Sequence, residues 1–257
     1  MSASVPTNRF KAALAAQQTQ VGLWSSLSSP VVAELIAGAG FDWLLFDTEH
    51  SPITIPAAAE LLRSAAHSDS QAAVRVAWND PVLIKQVLDI GAQTVFVPFV
   101  QSAEEARAAV RACRYPPDGI RGVAGATRAS GYGRRTTYLQ EANDQIAVVL
   151  QVETKEALDQ LEEIAGVEGV DGVFIGPSDL SASFGHLGNP GATEMQAVLK
   201  SAAARLNAIG KASGILAGTS VDANRYLSWG YTFVAAGVDT ALLTKAVDTV
   251  RSEVSRN

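Results

Sequence analysis

The sequence lacks the residue patterns that several classes of protein require. Cys113 is the only cysteine in 257 residues, which excludes an intrachain disulfide and a cysteine-based metal site. The net charge is -6 and no block of basic residues occurs, so clustered cations for nucleic-acid phosphates are missing. No apolar run approaches the roughly 20 residues of a membrane span, and the N-terminus has no continuous apolar segment. We therefore expect a cytoplasmic protein with neither a nucleic-acid nor a membrane partner.

What is present is the composition of an ordinary globular chain, 47% hydrophobic and 18% charged. This length is enough for a substantial core. We expect a single domain over residues 1–257, with a loose start at 1–8. One long Gly- and Arg-rich excursion, at 114–144, interrupts an otherwise regular pattern.

Short apolar runs alternate with helical patterns along the chain. The predicted strands are Val21–Trp24, Trp43–Phe46, Ala72–Val76, Val95–Val100, Val148–Val152, Gly172–Gly176, Ser213–Leu216 and Thr232–Ala236. Strands that are apolar on both faces and separated by helices indicate a parallel sheet covered by helices. Eight such units predict a (β/α)8 TIM barrel. The alternative is an open doubly wound sheet, which the missing glycine-rich dinucleotide fingerprint disfavours, and with it a nucleotide cofactor.

Two carboxylates follow predicted strands in the same manner. Glu153 comes directly after one strand, and Asp179 follows the Gly176-Pro177 turn after the next. The carboxyl ends of barrel strands surround one mouth, where active sites lie. Two carboxylates completed by water and substrate oxygens suit Mg2+ or Mn2+. The alternative is that Glu153 pairs with Arg75 and that Asp179 caps the next helix.

Other polar residues end strands at the same predicted mouth. His50 lies three residues after Asp47, which suits a carboxylate that fixes the imidazole tautomer and raises its basicity. Arg75 lies near the end of the apolar strand Ala72–Val76, where an unpaired charge would be costly, so it needs an internal carboxylate or an anionic ligand. A guanidinium suits a carboxylate or a developing enolate. The remaining histidines, His67 and His186, are interpreted as structural or exposed.

Nucleophilic catalysis has little support. No lysine ends a strand at the mouth, so we expect no Schiff-base lysine. No Gly-x-Ser-x-Gly elbow occurs, and Cys113 lies in a predicted helix. Metal-assisted acid–base chemistry on a small anionic substrate remains. The arginines of the excursion are either surface residues or part of a lid or subunit contact.

Several segments together resemble one known family. These are FDWLLFDTEH, VRVAWNDPVLIKQVLDIGAQT, RYPPDGIRG, QVET, VEGVDGVFIGPSDLS and FVAAGVDTALL. They resemble the HpcH/HpaI family of class II pyruvate-dependent aldolases from about Phe10 to Val254, and most closely its members that cleave 4-hydroxy-2-oxoheptanedioate. The resemblance implies a phosphoenolpyruvate/pyruvate-type barrel with its C-terminal helix exchanged between subunits of a hexamer, a trimer of dimers. It also implies cleavage of a 4-hydroxy-2-oxo acid to pyruvate and an aldehyde of the succinate semialdehyde type.

The resemblance also implies roles for the residues at the mouth. Glu153 and Asp179 are expected to hold Mg2+, Mn2+ or Co2+, while the backbone amides of Ser178 and Asp179 receive the pyruvate carboxylate. Arg75 is expected to steady the enolate. His50 with Asp47 matches the family's base.

Further positions match residues outside this central group. Asp89 matches an acidic residue that reaches the site of an adjacent subunit. The pocket-lining positions are Trp24, Gln151 and Leu216.

The chain departs from the family pattern at Thr48, where glycine is common, and at Ser178, where alanine is common. The segment GVAGATRASGYGRR varies among relatives and is expected to border the aldehyde side of the pocket. The substrate therefore stays open between this type and a 2-keto-3-deoxy sugar acid of the 2-dehydro-3-deoxyglucarate type, with pyruvate or hydroxypyruvate as the ketoacid. A non-catalytic barrel that binds a ligand is the remote alternative.

Overall fold

Eight parallel strands follow one another around a closed barrel in the order of the sequence. The computed structural model describes residues 4–255. The strands are β1 Gln20–Ser25, β2 Trp43–Asp47, β3 Gln71–Arg75, β4 Thr94–Val97, β5 Ala147–Val152, β6 Gly172–Ile175, β7 Ala212–Leu216 and β8 Phe233–Val238. The pairing of β1 with β8 closes the barrel. The predicted (β/α)8 barrel is confirmed, and the open sheet is excluded.

Helices cover the outside of the barrel, and most begin at a side-chain cap. They are α1 Arg9–Ala15, α2 Pro30–Ala37, α3 Ile55–Ala65, α4 Pro81–Asp89, α5 Ala103–Cys113, α6 Tyr138–Gln145, α7 Lys155–Asp159, α8 Leu161–Ala165, α9 Pro177–Ser183, α10 Thr193–Ala208, α11 Ser220–Ser228 and α12 Asp239–Glu253. Ser29, Thr54 and Asp80 accept from first-turn backbone N–H groups, and proline follows each cap within the first turn. No helix within 4–255 is long and apolar enough to cross a membrane.

Aromatic side chains fill the interior of the barrel. Phe10 of α1 lies 5.5 Å from Trp43 and 5.6 Å from Phe233 between ring centroids, so α1 closes the amino end of the barrel. A Cβ on Gly22 would lie 2.2 Å from the Trp43 ring, so only glycine leaves room for this indole. The interior of the barrel at its amino end is therefore packed with aromatic groups.

The expected loose start is wrong for residues 5 to 8. Val5 is buried, and Asn8 caps α1. The Asn8 amide donates to the carbonyl of Gln93 and to the hydroxyl of Thr94, both at 3.0 Å. Residues 1–3 lie outside the described part of the chain. The start of the chain is thus tied to the amino end of β4.

The excursion at 114–144 lies between α5 and β5, includes all but the last residue of α6, and lies at the amino end of the strands. Arg121 has a fully buried side chain that stacks 4.4 Å from the Tyr115 ring centroid and donates to Asp89 at 2.7 Å. The backbone N–H of Ala129 donates to the carbonyl of Asp89. The expectation that this segment borders the pocket is therefore wrong for the chain's own mouth, because these contacts lie at the opposite end. A contact with a neighbouring subunit stays a prediction.

Candidate active site

Asp47 and Arg75 end neighbouring strands and are partners in the β2–β3 register. The guanidinium binds the carboxylate at two points, with Nε–Oδ1 at 2.8 Å and Nη2–Oδ2 at 2.5 Å. Trp24 donates its indole N–H to Asp47 at 3.2 Å, and its ring centroid lies 4.7 Å from the Arg75 guanidinium carbon. Burial opposes ionisation of Asp47, but Arg75 outweighs burial and holds the Asp47 pKa below its usual range. The alternative pairing of Arg75 with Glu153 is therefore wrong.

Glu49 is a second carboxylate on the same guanidinium, and the sequence interpretation gave it no role. Its Oε2 lies 2.7 Å from Nη1 of Arg75. Burial raises the Glu49 pKa to about 7 in spite of Arg75, and repulsion from Asp47 and Asp179 adds to the rise. The sequence feature that could have identified Glu49 as a site residue is its position in the polar run Asp47 to His50, which follows a buried strand.

The imidazole of His50 lies beside Glu49. Its Nε2 is 3.6 Å from Glu49 Oε1, and 67% of its side chain is exposed. Asp47 instead accepts from the backbone N–H groups of Glu49 at 2.9 Å and His50 at 3.4 Å. The prediction that Asp47 orients the His50 ring is therefore wrong. The Asp47 carboxylate accepts hydrogen bonds from the side chains of Arg75 and Trp24 instead.

Glu153 follows β5 and is buried, with 3% exposure. Its Oε1 accepts from the backbone N–H of Phe99 at 2.8 Å, and its Oε2 accepts from Gln151 Nε2 at 3.3 Å. Strand β4 ends at Val97 rather than at the predicted Val100, and Phe99 adopts a left-handed φ of +54°. Burial raises the Glu153 pKa to about 7, with Asp179 and Glu49 contributing repulsion.

The turn after β6 lies against Glu153. A Cβ on Gly176 would lie 2.3 Å from Glu153 Oε2, so the backbone approaches the carboxylate as only glycine permits. Gly176 is the N-cap of α9 without a side-chain hydrogen bond, and Asp179 lies in the first turn. Asp179 therefore does not cap this helix. Ser178 and Asp179 are exposed and lie in the first turn, where backbone N–H groups have no hydrogen-bond partner within the helix.

The oxygen donors at the mouth suit a divalent cation with an incomplete set of protein ligands. Within residues 4–255, no group of three or more His, Cys, Asp or Glu side chains is arranged to hold a metal ion. Glu153 and Asp179 are two carboxylates close enough to repel. In this described range Oε1 of Gln151 is buried without a hydrogen-bond partner. A hard cation that keeps water and substrate ligands fits these groups and would offset their repulsion.

The remaining predicted residues divide between the two ends of the barrel. Leu216 ends β7, is half-buried and packs against the interior cluster that includes Trp24, so both side chains border the mouth. Asp89 ends α4 at the amino side and is paired with Arg121. It therefore belongs to no site at the mouth of its own subunit. Asp239, which was not predicted, accepts from the Ser25 hydroxyl at 2.7 Å and ties β8 to β1.

Comparisons with known proteins agree with this architecture. The model of the HpcH/HpaI aldolase/citrate lyase family matches residues 20–246. A 4-hydroxy-2-oxo-heptane-1,7-dioate aldolase from Escherichia coli is 55% identical over 242 residues, 94% of this chain and 92% of that protein. The crystal structure of an HpcH/HpaI aldolase/citrate lyase family protein from Burkholderia cenocepacia J2315 has a TM-score of 0.93 at 40% identity, covering 96% of this chain and 99% of that chain.

A more distant structure shares the fold alone. It is the citrate lyase beta subunit from M. tuberculosis, complexed with oxaloacetate and magnesium. Its TM-score is 0.57 at 18% identity, covering 88% of this chain and 93% of that chain.

Proposed function

The chain belongs to the HpcH/HpaI aldolase/citrate lyase family, and on that premise we propose that it cleaves a 4-hydroxy-2-oxo acid to pyruvate and an aldehyde. We propose 4-hydroxy-2-oxoheptanedioate as the substrate and succinate semialdehyde as the aldehyde. The observation that carries the reaction is a buried Arg75 cation, fixed by Asp47, at a mouth that also holds Glu49 and Glu153 with pKa values of about 7. The substrate rests on the likeness to the Escherichia coli aldolase.

The proposed metal ligands are Glu153 and Asp179. The family is divalent-metal dependent, which supports a divalent cation at these two carboxylates. We propose Mg2+, Mn2+ or Co2+, since all three take oxygen ligands. When bound, the cation supplies Lewis-acid polarisation of the 2-keto oxygen. Phe99, Gln151 and Gly176 hold Glu153 in place for that role.

The substrate carboxylate is proposed to lie at the first turn of α9. The N–H groups of Ser178 and Asp179 are free of helical partners there, which suits a carboxylate oxygen. Trp24, Gln151 and Leu216 form the adjoining wall of the pocket. The turn at Gly176 and Pro177 carries no bulky side chain, so the backbone N–H groups of the first turn of α9 lie next to Glu153.

The chemical step breaks the C3–C4 bond of the substrate. A base removes the proton of the 4-hydroxyl, the aldehyde forms at C4, and the bonding pair remains on the pyruvate fragment as an enolate. Transfer of a proton to C3 of this enolate then gives pyruvate and returns the proton that the base removed. We propose His50 as the base, since its imidazole is exposed at the mouth with Glu49 beside it. Arg75 stabilises the charge on the enolate oxygen, and Asp47 keeps its guanidinium from turning away.

We also propose a homo-oligomer in which α12 is exchanged with a partner. Within the described chain, Asp239 is the only buried residue of α12. Leu242, Leu243 and Val247 are each more than half exposed, which is unusual for the last helix of a barrel. On α2, Val31 and Leu35 are 72% and 71% exposed and offer an apolar face of the same kind. A hexamer follows from the family resemblance, and light scattering of Val247→Glu against the parent chain tests whether this face holds subunits together.

A steady-state panel of substrates and metals tests the proposed activity. Protein treated with a chelator should release no pyruvate from 4-hydroxy-2-oxoheptanedioate, and addition of Mn2+, Co2+ or Mg2+ should restore pyruvate release. In the condensation direction, pyruvate and hydroxypyruvate are each offered with succinate semialdehyde and with tartronate semialdehyde. A preference for tartronate semialdehyde would transfer the assignment to the 2-dehydro-3-deoxyglucarate type. Full activity after rigorous chelation would contradict the metal mechanism. No activity with any combination of ketoacid and aldehyde would favour the alternative of a non-catalytic barrel that binds a ligand.

A further inference from the structure

A cavity lies at the amino end of the barrel, opposite the mouth. It has a volume of about 450 Å3 and lies between the end of α3, the starts of β3 and β4, and the excursion at 114–144. Its wall includes Leu62, Gln71, Gln93, Arg128 and Arg135. This volume is within the range of small-molecule sites.

Two arginines of the excursion line this cavity without an acidic partner. Nη1 of Arg128 donates to the carbonyl of Ile90 at 2.7 Å, and Nη1 of Arg135 donates to the carbonyl of Ala129 at 2.8 Å. Over residues 4–255, neither guanidinium has a carboxylate oxygen within 4.0 Å, whereas Arg121 in the same excursion pairs with Asp89. Each therefore keeps further N–H donors for another acceptor.

Electrostatics shows that the two cations affect each other. Burial lowers the pKa of Arg128, and the positive charges of Arg63 and Arg135 lower it further. Arg63 is partnered by Glu60, with which it forms an ion pair. Glu60 also attracts Arg128, but it forms its ion pair with Arg63. Within the described residues Arg128 and Arg135 therefore have no carboxylate at contact distance, although the net charge of the chain is -6.

The backbone is shaped to admit these side chains. Gly91 has a φ of +97°, and a Cβ there would lie 2.6 Å from Nη1 of Arg128. Gln71 accepts from the backbone N–H of Arg9 through Oε1, which leaves its Nε2 as a donor at the wall. The guanidinium of Arg128 therefore lies against the backbone at Gly91, which only a residue without a side chain permits. The amide of Gln71, a neutral donor, lines the same cavity.

We propose that this cavity binds a small doubly charged oxyanion, a dicarboxylate or a phosphate, between Arg128 and Arg135. Guanidinium groups bind carboxylate and phosphate oxygens through two N–H groups at once, and two cations match two negative charges. The ligand would join the excursion to the starts of β3 and β4. Binding to the folded chain therefore stabilises it, independently of the reaction at the mouth.

Titration calorimetry with inorganic phosphate and with succinate tests the proposal on the full-length protein, from which metal has been removed with a chelator. We expect saturable binding of at least one anion, accompanied by a higher unfolding temperature. Arg128→Gln and Arg135→Gln should each weaken binding about tenfold or more, and Arg128→Lys should weaken it less because the charge remains. Arg134→Gln is the matched control, since Arg134 is exposed and, among residues 4–255, its guanidinium donates to a single carbonyl, that of Gly131. It should leave the affinity unchanged.

A variant at the mouth separates the two ends of the barrel. Arg75→Lys should retain the phosphate or succinate affinity of the parent chain. The proposal fails if wild-type protein shows no saturable binding at millimolar anion, or if Arg128→Gln and Arg135→Gln bind as tightly as the parent. Loss of binding only in Arg75→Lys would place the anion at the mouth and also overturn the proposal.

Discussion

Arg75 and Asp47 form a buried two-point ion pair at the ends of neighbouring strands, with side-chain exposures of 8% and 2%. The planar guanidinium is fixed by Nε and Nη2, so that Nη1 points toward Glu49. An isolated charge at this depth would be costly, and the pair offsets that cost. The carboxylate therefore orients the cation on which the proposed enolate chemistry depends.

Asp47→Asn is expected to lower both stability and turnover. Removal of one partner leaves Arg75 partly uncompensated, which should reduce the free energy of unfolding by about 3 kcal/mol. Asp69→Asn is the control, because Asp69 pairs with Arg9 at the surface and should show no measurable change. Urea unfolding measures both variants. Equal losses in the two would show that the buried pair contributes nothing beyond an exposed one.

His50→Ala is expected to keep metal and pyruvate binding but to lose turnover by about 100-fold or more. The exposed ring makes few packing contacts, so the unfolding temperature should stay close to that of the parent. His67→Ala is the matched control, since His67 is also exposed but follows α3 at the amino end. Titration calorimetry with Mn2+ and pyruvate is combined with kcat measurements. An unchanged kcat in His50→Ala would remove this residue from the base role.

Gly176→Ala is expected to weaken divalent-metal binding sharply. The new Cβ would lie 2.3 Å from Glu153 Oε2 and would displace a proposed ligand without removing any oxygen donor. Gly218→Ala serves as the control near the end of β7, because its Cβ would meet no atom within 4 Å. Mn2+ titration by electron paramagnetic resonance compares the two. If both variants bind Mn2+ like the parent, Glu153 is not held where the proposed site needs it.

The metal-free protein is expected to lose stability as the pH rises from about 5 to 8. Glu153 has a folded-state pKa of about 7, raised from 4.5, so the folded state binds more protons than the unfolded state between these values. Stability is therefore greatest at the acidic side of this range and falls by a few kcal/mol through pH 7. Urea midpoints measured with a chelator follow the change.

Two comparisons identify Glu153 as a source of this pH dependence. Glu153→Gln should make the profile less steep, because the amide carries no charge to bury, and Glu49, whose pKa is also raised to about 7, should account for the slope that remains. Mn2+ added to the parent chain should restore stability at the alkaline side, since the cation favours ionised carboxylates. A stability that rises over this range would contradict the raised pKa.

The strand order and the end of the barrel at which Glu153, Arg75 and Asp47 meet could be predicted from the sequence, because both follow from local patterns. Apolar runs with helical segments between them specify parallel strands, and caps such as Ser29 and Thr54 locate the starts of helices. Carboxylates placed after those runs, Glu153 among them, must then surround one mouth. These features depend on a few adjacent residues at a time.

Pairing between side chains required the tertiary structure. Asp47 is three residues from His50 in sequence, yet its carboxylate binds Arg75 because the β2–β3 register places the two directly opposite. The excursion likewise has no periodicity that reveals its position, and its connection from α5 to β5 places it at the amino end. The sequence by itself determined which segments form strands and that Glu153 and Asp179 follow two of them. The closed barrel decided which of them meet, since neighbouring strands lie about 5 Å apart whatever their separation along the chain.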